Sequence, residues 1–547
     1  MNQLYFGDCL DVLKELHGKH PEGFIDLVYI DPPFNSKRNY NILFEDVDLS
    51  DTKAQREAFS DTWSSVSYND TLNELQTLDL DLFKFLKALD GIRLSKGAIS
   101  YLVTMSIRIL YIHKVLKNTG SFYLHCDSTM SHYLKLVCDL VFGNSNYINE
   151  ITWKRSHAHG DTGQGAKHFG RVTDVLLYFV KSKNAIWNSQ YEPYTEEALK
   201  RDYKYVDERT GRKYRLAPLD GPGGAGKGNP FYEFLGVQGY WRYSQERMQR
   251  LFDEGRIVKS KTGKTISQIL FLDEAKGKSV DNLWLDLNRI APNSNESLGY
   301  PTQKPITLLE RVLKTSSNEG DLVADFFCGC GTTIAAAQKL NRNWIGADIS
   351  HLAIKLILKR LTDPYSEDKQ KEILSNIEVS GFPRDLDSAR ELATKTDKHR
   401  IKFQDWIVEF MIGGISNQKK SGDGGYDGYL TFHKTVDRNT KGIGIIEVKS
   451  GNVGVHTLRA FSEVVNKQNA DIGIFVCFVE HVTKGMRIDA NAQGKLEGWS
   501  GIDKIQIITV EDLLNHKSPQ LPGLGSMKHF EESTKKLETK IEEEGMF

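Results

Sequence analysis

Asp31, Pro32, Pro33 and Phe34 close the apolar run from Ile25 to Ile30, which reads as a buried β-strand ending in a stiff turn. Such a turn could activate an amino group attached to a heteroaromatic ring. The lone pair of that nitrogen is delocalised, so the group is a poor nucleophile. Asp31 can accept one N–H and the Pro32 carbonyl the other, which favours a pyramidal nitrogen with its lone pair aimed at an electrophile. The two prolines hold that carbonyl still, and Phe34 can stack on the ring. The same four residues would also make a plain turn, with Asp as turn former.

A second cluster runs Asp325-Phe326-Phe327-Cys328-Gly329-Cys330-Gly331-Thr332-Thr333, after the strand-like Asp321 to Ala324 and before a helical pattern. Asp325, Phe327, Gly329 and Gly331 are candidate cofactor contacts. Glycines let backbone approach a ligand, and a helix N-terminus favours a carboxylate. Asp348 ends the next apolar run, seventeen residues past Gly331. Nucleotide-binding α/β folds place a ribose-binding acid at about that remove.

The third cluster lies near the end of the chain. Asp427, in a Gly-rich turn, is followed twenty residues later by Glu447 and then Lys449 on an apolar strand. Alternation puts Glu447 and Lys449 on one strand face. Asp427 and Glu447 would hold a divalent metal such as Mg2+ through oxygen, and Lys449 would orient or activate a water. Glu409, on the preceding helical stretch, is a candidate accessory acid. The alternative is a Gly-rich hairpin with an incidental ion pair.

These clusters need a frame. Strand and helix patterns alternate over 1–34, 101–148 and 306–361, which predicts a doubly wound, mostly parallel α/β sheet. The chain divides into a core of 1–185 with 300–361, an irregular insertion over 185–300, a charged linker over 362–399, a second α/β domain over 400–525 and a charged tail over 526–547. The insertion is where recognition is expected.

Composition excludes some classes. No run approaches the roughly 18 apolar residues of a membrane span, and the start lacks a secretory signal. The six scattered cysteines lack zinc spacing and read as reduced thiols in the cytoplasm. Net charge is −1, yet residues 151–300 carry 24 Lys and Arg against 18 Asp and Glu. Lys204 to Arg215 and Arg242, Arg247 and Arg250 interleave with Tyr203, Tyr205, Tyr214, Trp241 and Tyr243, a pattern suited to phosphates and unstacked bases or to an ordinary solvated surface. His157 and His159, beside Lys154 and Arg155, suit a loop facing DNA better than a zinc site. His125, Cys126 and Asp127 read as a strand-end cluster near a pocket.

The first two clusters, in that order, resemble the beta class of DNA amino-methyltransferases. Phe6-Gly7-Asp8 is similar to the family's adenine-pocket segment, which implies cofactor contacts from Phe6 and Asp8. Tyr300-Pro301-Thr302-Gln303-Lys304-Pro305 is similar to its methionine-contacting segment, which implies Thr302 and Lys304. Phe326 and Cys330 stand where the family usually has Pro and Ser. The third cluster resembles PD-(D/E)xK nucleases of the Mrr-like restriction branch. Together they imply a Rossmann-like S-adenosylmethionine-dependent core with a target-recognition insertion and a restriction-endonuclease-like domain. The expected chemistry is methylation of adenine N6 on a base flipped from double-stranded DNA, with Mg2+-dependent cutting, in a prokaryotic restriction–modification or defence system. A homodimer or a separate restriction subunit is the partner implied. The readings left open are cytosine N4, which Asp in place of Ser before Pro-Pro disfavours, methylation of RNA, and a nuclease fold that only binds DNA. No Walker-type nucleotide motif is present.

Overall fold

A computed structural model describes residues 2–33, 68–92, 94–156, 167, 169–291, 294, 296–298, 300, 302–363, 365–383, 385–394, 396–417, 425–434, 441–515 and 517–522. Phe34, His157, His159, most of the Gly-rich turn before Asp427 and the charged tail lie outside the described residues.

The apolar runs become a nine-stranded sheet. Across it the order is Leu283–Trp284, Tyr147–Lys154, Thr173–Val180, Leu116–Cys126, Ile25–Ile30, Leu322–Asp325, Asn343–Asp348, Asn2–Phe6 and Ile377–Ser380. Thr173–Val180 is antiparallel to both neighbours, and the remaining pairings are parallel. Ile25–Ile30 is buried at every position, as a central strand covered on both faces must be. Helix Lys96–Val115 is apolar nearly all round and buries most of its length, so burial rather than one amphipathic stripe sets its place.

Residues 189–281 form a separate compact unit. Four strands, Ile257–Lys259, Ile266–Phe271, Lys213–Pro218 and Tyr205–Val206, make an antiparallel sheet beside the hairpin Phe231–Phe234 with Val237–Tyr240. Its core gathers Leu219, Phe234, Trp241, Met248, Ile257 and Ile266.

The last domain has a five-stranded sheet ordered Ile415–Ser416, Gly428–His433, Lys441–Val448, Ile472–Cys477 and Ile505–Thr509. Alternate residues feed two cores: Ile446, Val448, Ile474 and Val476 on one face, Ile445, Phe475 and Cys477 on the other.

Two boundaries differ from expectation. The compact insertion is narrower than 185–300, because Leu283–Trp284 pairs in parallel with Thr152 and Trp153 at the edge of the large sheet. Residues 362–399 are no bare linker either. Ile377–Ser380 extends the large sheet next to Asn2–Phe6, and Ala389 and Ala393 of helix Leu386–Thr394 sit in the core of the last domain. Their polar composition masked a short edge strand and an amphipathic helix, since an edge strand needs only one buried face.

Candidate active sites

Four adjacent parallel strands deliver an acid at or just past their carboxyl ends: Asp31, Asp325, Asp348 and Asp8. This is where open α/β sheets bind ligands. All four line one cavity with Pro32, Pro33, Thr302, Lys304, Phe327 and Gly329. The two sequence clusters, about 290 residues apart in the chain, therefore meet in space.

Each acid is held differently. Asp348 accepts backbone N–H bonds from Gly329 and Ser350, both at 2.8 Å. Its recess strips water from the carboxylate and pushes its pKa up to about 6 despite those bonds. Asp325 is fully enclosed, accepting from Thr333 Oγ1 at 2.6 Å and Phe327 N at 3.0 Å, and burial pushes it up to about 7. Asp8 caps helix Cys9–Lys19 through Leu10 N at 2.7 Å and takes both oxygens to Arg108, at 2.7 and 2.8 Å. Asp31 pairs with Lys304. Lys304 rides a loop braced by Gln303, which accepts from Leu298 N at 2.8 Å, and by Glu296, which accepts from Ile306 N at 2.6 Å.

Phe6 and Gly331 do not line the cavity. The Phe6 ring stacks on Phe382, centroids 4.4 Å apart, and Phe382 stacks on Phe410 at 4.3 Å. The Phe6 ring therefore also packs against a residue of the polar 362–399 stretch. Gly331 has φ +75°, and a Cβ there would meet Ile357 Cγ1 at 2.6 Å, so packing alone already requires glycine. Gly329, at φ +48°, faces the Tyr300 ring, which a Cβ would meet at 3.2 Å. Sequence reasoning missed Arg108 and Tyr29, which line the cavity together with Tyr300 of the Tyr300–Pro305 segment. Arg108 sits mid-helix with no local motif. Tyr29 lies two residues before Asp31, and strand alternation alone could have flagged it.

Of the interleaved aromatics in the insertion, Trp241 and Tyr203 are core residues, and Arg212 is bound to Asp273 and Glu274. The aromatic side chains that do reach solvent there include Phe231, Tyr240 and Tyr205.

In the last domain Asp427 lies at the mouth of the hairpin. Gly428 pairs with Ile446, which sets Asp427 opposite Glu447. Asp427 accepts from Gln404 Nε2 at 3.0 Å and Val448 N at 2.7 Å. Lys449 Nζ meets Glu447 at 2.5 Å. Glu409 is on the π-helical turn Trp406–Ile412. Among the described residues no three acidic, His or Cys side chains are gathered tightly enough to hold a metal by themselves. All six cysteines are buried, and His125 and Cys126 are enclosed at the end of their strand.

Comparison with known proteins agrees with the geometry. The family described as DNA methylase matches residues 25–359, and that described as restriction endonuclease, of Mrr type, matches residues 403–515. The Type II methyltransferase M.EcaI of Enterobacter cloacae is 32% identical over 265 residues, 48% of this chain and 57% of that protein. The Type III restriction-modification enzyme StyLTI Mod subunit of Salmonella typhimurium is 26% identical over 353 residues, 62% of this chain and 50% of that protein. DNA adenine methyltransferase YhdJ of Escherichia coli is 24% identical over 357 residues, 65% of this chain and 81% of that protein. The chain spans only about half the length of the first two relatives. With the methylase match covering more than half of its residues, the chain belongs to the DNA methylase family and joins to it a restriction-endonuclease domain of the Mrr type.

Proposed function

We propose that this chain transfers a methyl group from S-adenosylmethionine to adenine N6 in double-stranded DNA, and that its last domain cuts DNA with Mg2+. The observation that carries the first part is the single cavity shared by Asp31-Pro32-Pro33 and the Gly329–Asp348 cradle. Charged side chains lining it are Asp8, Asp31, Asp325, Asp348, Arg108 and Lys304, an acidic excess suited to a cationic ligand. Asp348, already cradled by two N–H donors, keeps lone pairs for ribose hydroxyls. When bound, the donor supplies an electrophilic methyl group on a sulfonium sulfur.

The residues of the chain do the aligning. Asp31 accepts one N–H of the target amino group and the Pro32 carbonyl the other, turning the nitrogen lone pair toward the methyl. Asp31 is also the nearest base for the proton that nitrogen must shed. Lys304 holds Asp31 in place until the base arrives. Alignment and electrostatics suffice, so no covalent nucleophile is needed. Asp before Pro-Pro favours adenine, and one relative is a DNA adenine methyltransferase.

For the nuclease, Asp427 and Glu447 stand opposite each other at the ends of two paired strands and offer the hard oxygen ligands that Mg2+ takes, with Lys449 beside them. The ion would act as a Lewis acid there. Base-resolved mapping of methylated duplex DNA is the test: N6-methyladenine is expected, N4-methylcytosine would transfer the reading to the other base, and methylation of structured RNA in preference to duplex would overturn it.

A further inference from the structure

Given methyl transfer to double-stranded DNA as proposed above, we infer that the hairpin Phe231–Phe234 with Val237–Tyr240 is a β-ribbon that enters the major groove. Gln238 and Glu233 read base edges there, and Lys227, Arg242 and Lys259 hold the flanking phosphates.

The hairpin has two unlike faces. Phe234 pairs with Val237 and Tyr232 with Gly239 on the inner face, Glu233 with Gln238 and Phe231 with Tyr240 on the outer one. The inner residues close the core of this unit. Phe234 is buried, Tyr232 and Val237 pack against the cluster, and Gly239 leaves room for the Trp241 indole, which a Cβ would meet at 3.3 Å. All four outer residues are exposed. Phe231 and Tyr240 show 59% and 38% of their surface to solvent, with ring centroids 4.9 Å apart. The core does not use this pair, and it offers the apolar contact that a thymine methyl takes.

Leu235 and Gly236, both at positive φ, join the strands by a two-residue turn, so the ribbon is only two strands wide. Four residues a side give it a length of about 13 Å. The major groove, roughly 12 Å wide, admits such a ribbon.

Cations bracket the ribbon. At its open end Arg242 follows Tyr240 by two residues and donates from Nε to the Asp220 carbonyl at 3.0 Å. The loop 221–229 lies there too, braced by Asn229 Nδ2 donating to the Pro222 and Gly224 carbonyls, both at 3.2 Å. It sets Gly224 against the Tyr240 ring and carries the exposed Lys227. At the turn, Lys259 Nζ donates to the Leu235 carbonyl at 2.7 Å. Those carbonyls are neutral, so the charges of Arg242 and Lys259 stay available for phosphate. Arg212 and Arg256, by contrast, are tied to Asp273 and Glu274.

Gln238 supplies the sequence reading. Its Nε2 donates to Glu233 at 3.4 Å, which orients the amide. The amide oxygen and the second N–H remain for N6 and N7 of an adenine. Glu233 can accept from the exocyclic amino group of a neighbouring base.

Base-resolved mapping of DNA methylated by the full chain tests this, with duplex affinity followed against salt. Wild type is compared with Gln238→Ala, Gln238→Ala combined with Glu233→Gln, Lys227→Ala and Arg242→Ala. All four positions are exposed, and donor binding by calorimetry should stay at the wild-type value. Gln238→Ala is expected to keep methylating while its preference at one position outside the methylated base falls about five- to a hundredfold. Lys227→Ala and Arg242→Ala should each weaken every duplex alike and lower the slope of log affinity against log salt by about one. A wild-type site preference in the Gln238, Glu233 double variant, or wild-type salt slopes in both cation variants, would overturn the inference. So would a wild type that methylates without any site preference. Wild type that methylates no DNA would remove the methylation reading itself, and the salt slopes would still decide whether the ribbon binds duplex. Site-specific methylation untouched by these variants would remove only this inference.

Discussion

Asp325 and Asp348 of the methylase core sit deep beside a cavity, Asp325 bound to Phe327 N and Thr333 Oγ1 and Asp348 to Gly329 N and Ser350 N, with the pKa raised to about 7 and about 6 by lost water. Asp427 and Glu447 of the nuclease domain sit at the mouth of a hairpin, one bound to Gln404 and Val448 N, the other to Lys449. Both sites use carboxylates at strand ends. The first is a finished cradle into which a small molecule fits, and its geometry exists before the ligand arrives. In the second, Asp427 precedes its strand and stands opposite Glu447, a buried acid near the end of the central strand of its sheet. A cofactor binder benefits from preorganisation.

The contrast can be broken most sharply at the nuclease site. Glu447→Gln should lower cleavage roughly a hundred- to ten-thousandfold while methyl incorporation stays at the wild-type rate; parallel loss of both activities would mean the two sites are not independent. In the cradle the largest stability effect is expected at Arg108. Arg108→Met removes a buried cation that holds Asp8 and touches Cys9 Sγ at 3.0 Å, and should cost about 3 kcal/mol, read as a lowered melting point of the methylase part. Gly331→Ala comes next. The strained φ and the collision with Ile357 should cost about 2 kcal/mol with donor affinity little changed in the protein that folds. A loss of affinity with stability intact would return Gly331 to the ligand.

The smallest effect is the pH dependence of the cradle. Donor binding needs Asp348 ionised, so affinity should be flat above its folded pKa of about 6 and weaken about tenfold per pH unit below it. Asp348→Asn should bind weakly at every pH. The same raised pKa has a stability consequence of definite sign. Between about pH 4 and about pH 6 the native Asp348 keeps a proton that the unfolded chain has released, so folding stability falls as pH rises through that window.

The two sites also differ in how much the sequence disclosed. Asp31-Pro32-Pro33, Asp348 and the Asp427, Glu447, Lys449 set are legible because strand-end acids and stiff turns are local patterns with a chemical purpose. Arg108 and Tyr29 were silent because their roles depend on partners about 100 residues away, Asp8 and His125. The packing of Phe6 and Gly331 was silent for a related reason. Their packing partners, Phe382 and Ile357, lie outside the local pattern that flags a ligand contact. Residues 362–399 read as a linker because composition reports polarity, whereas the edge strand Ile377–Ser380 is held by backbone pairing that composition does not encode.

The most direct measurement incubates the full chain with unmethylated duplex DNA, Mg2+ and labelled S-adenosylmethionine, and scores methyl incorporation and strand breakage together in wild type and Asp31→Ala. Methyl transfer by wild type that falls at least about a thousandfold in Asp31→Ala, with donor binding retained, is the predicted result. Undiminished transfer by Asp31→Ala, or no transfer to any DNA by wild type, would contradict the account.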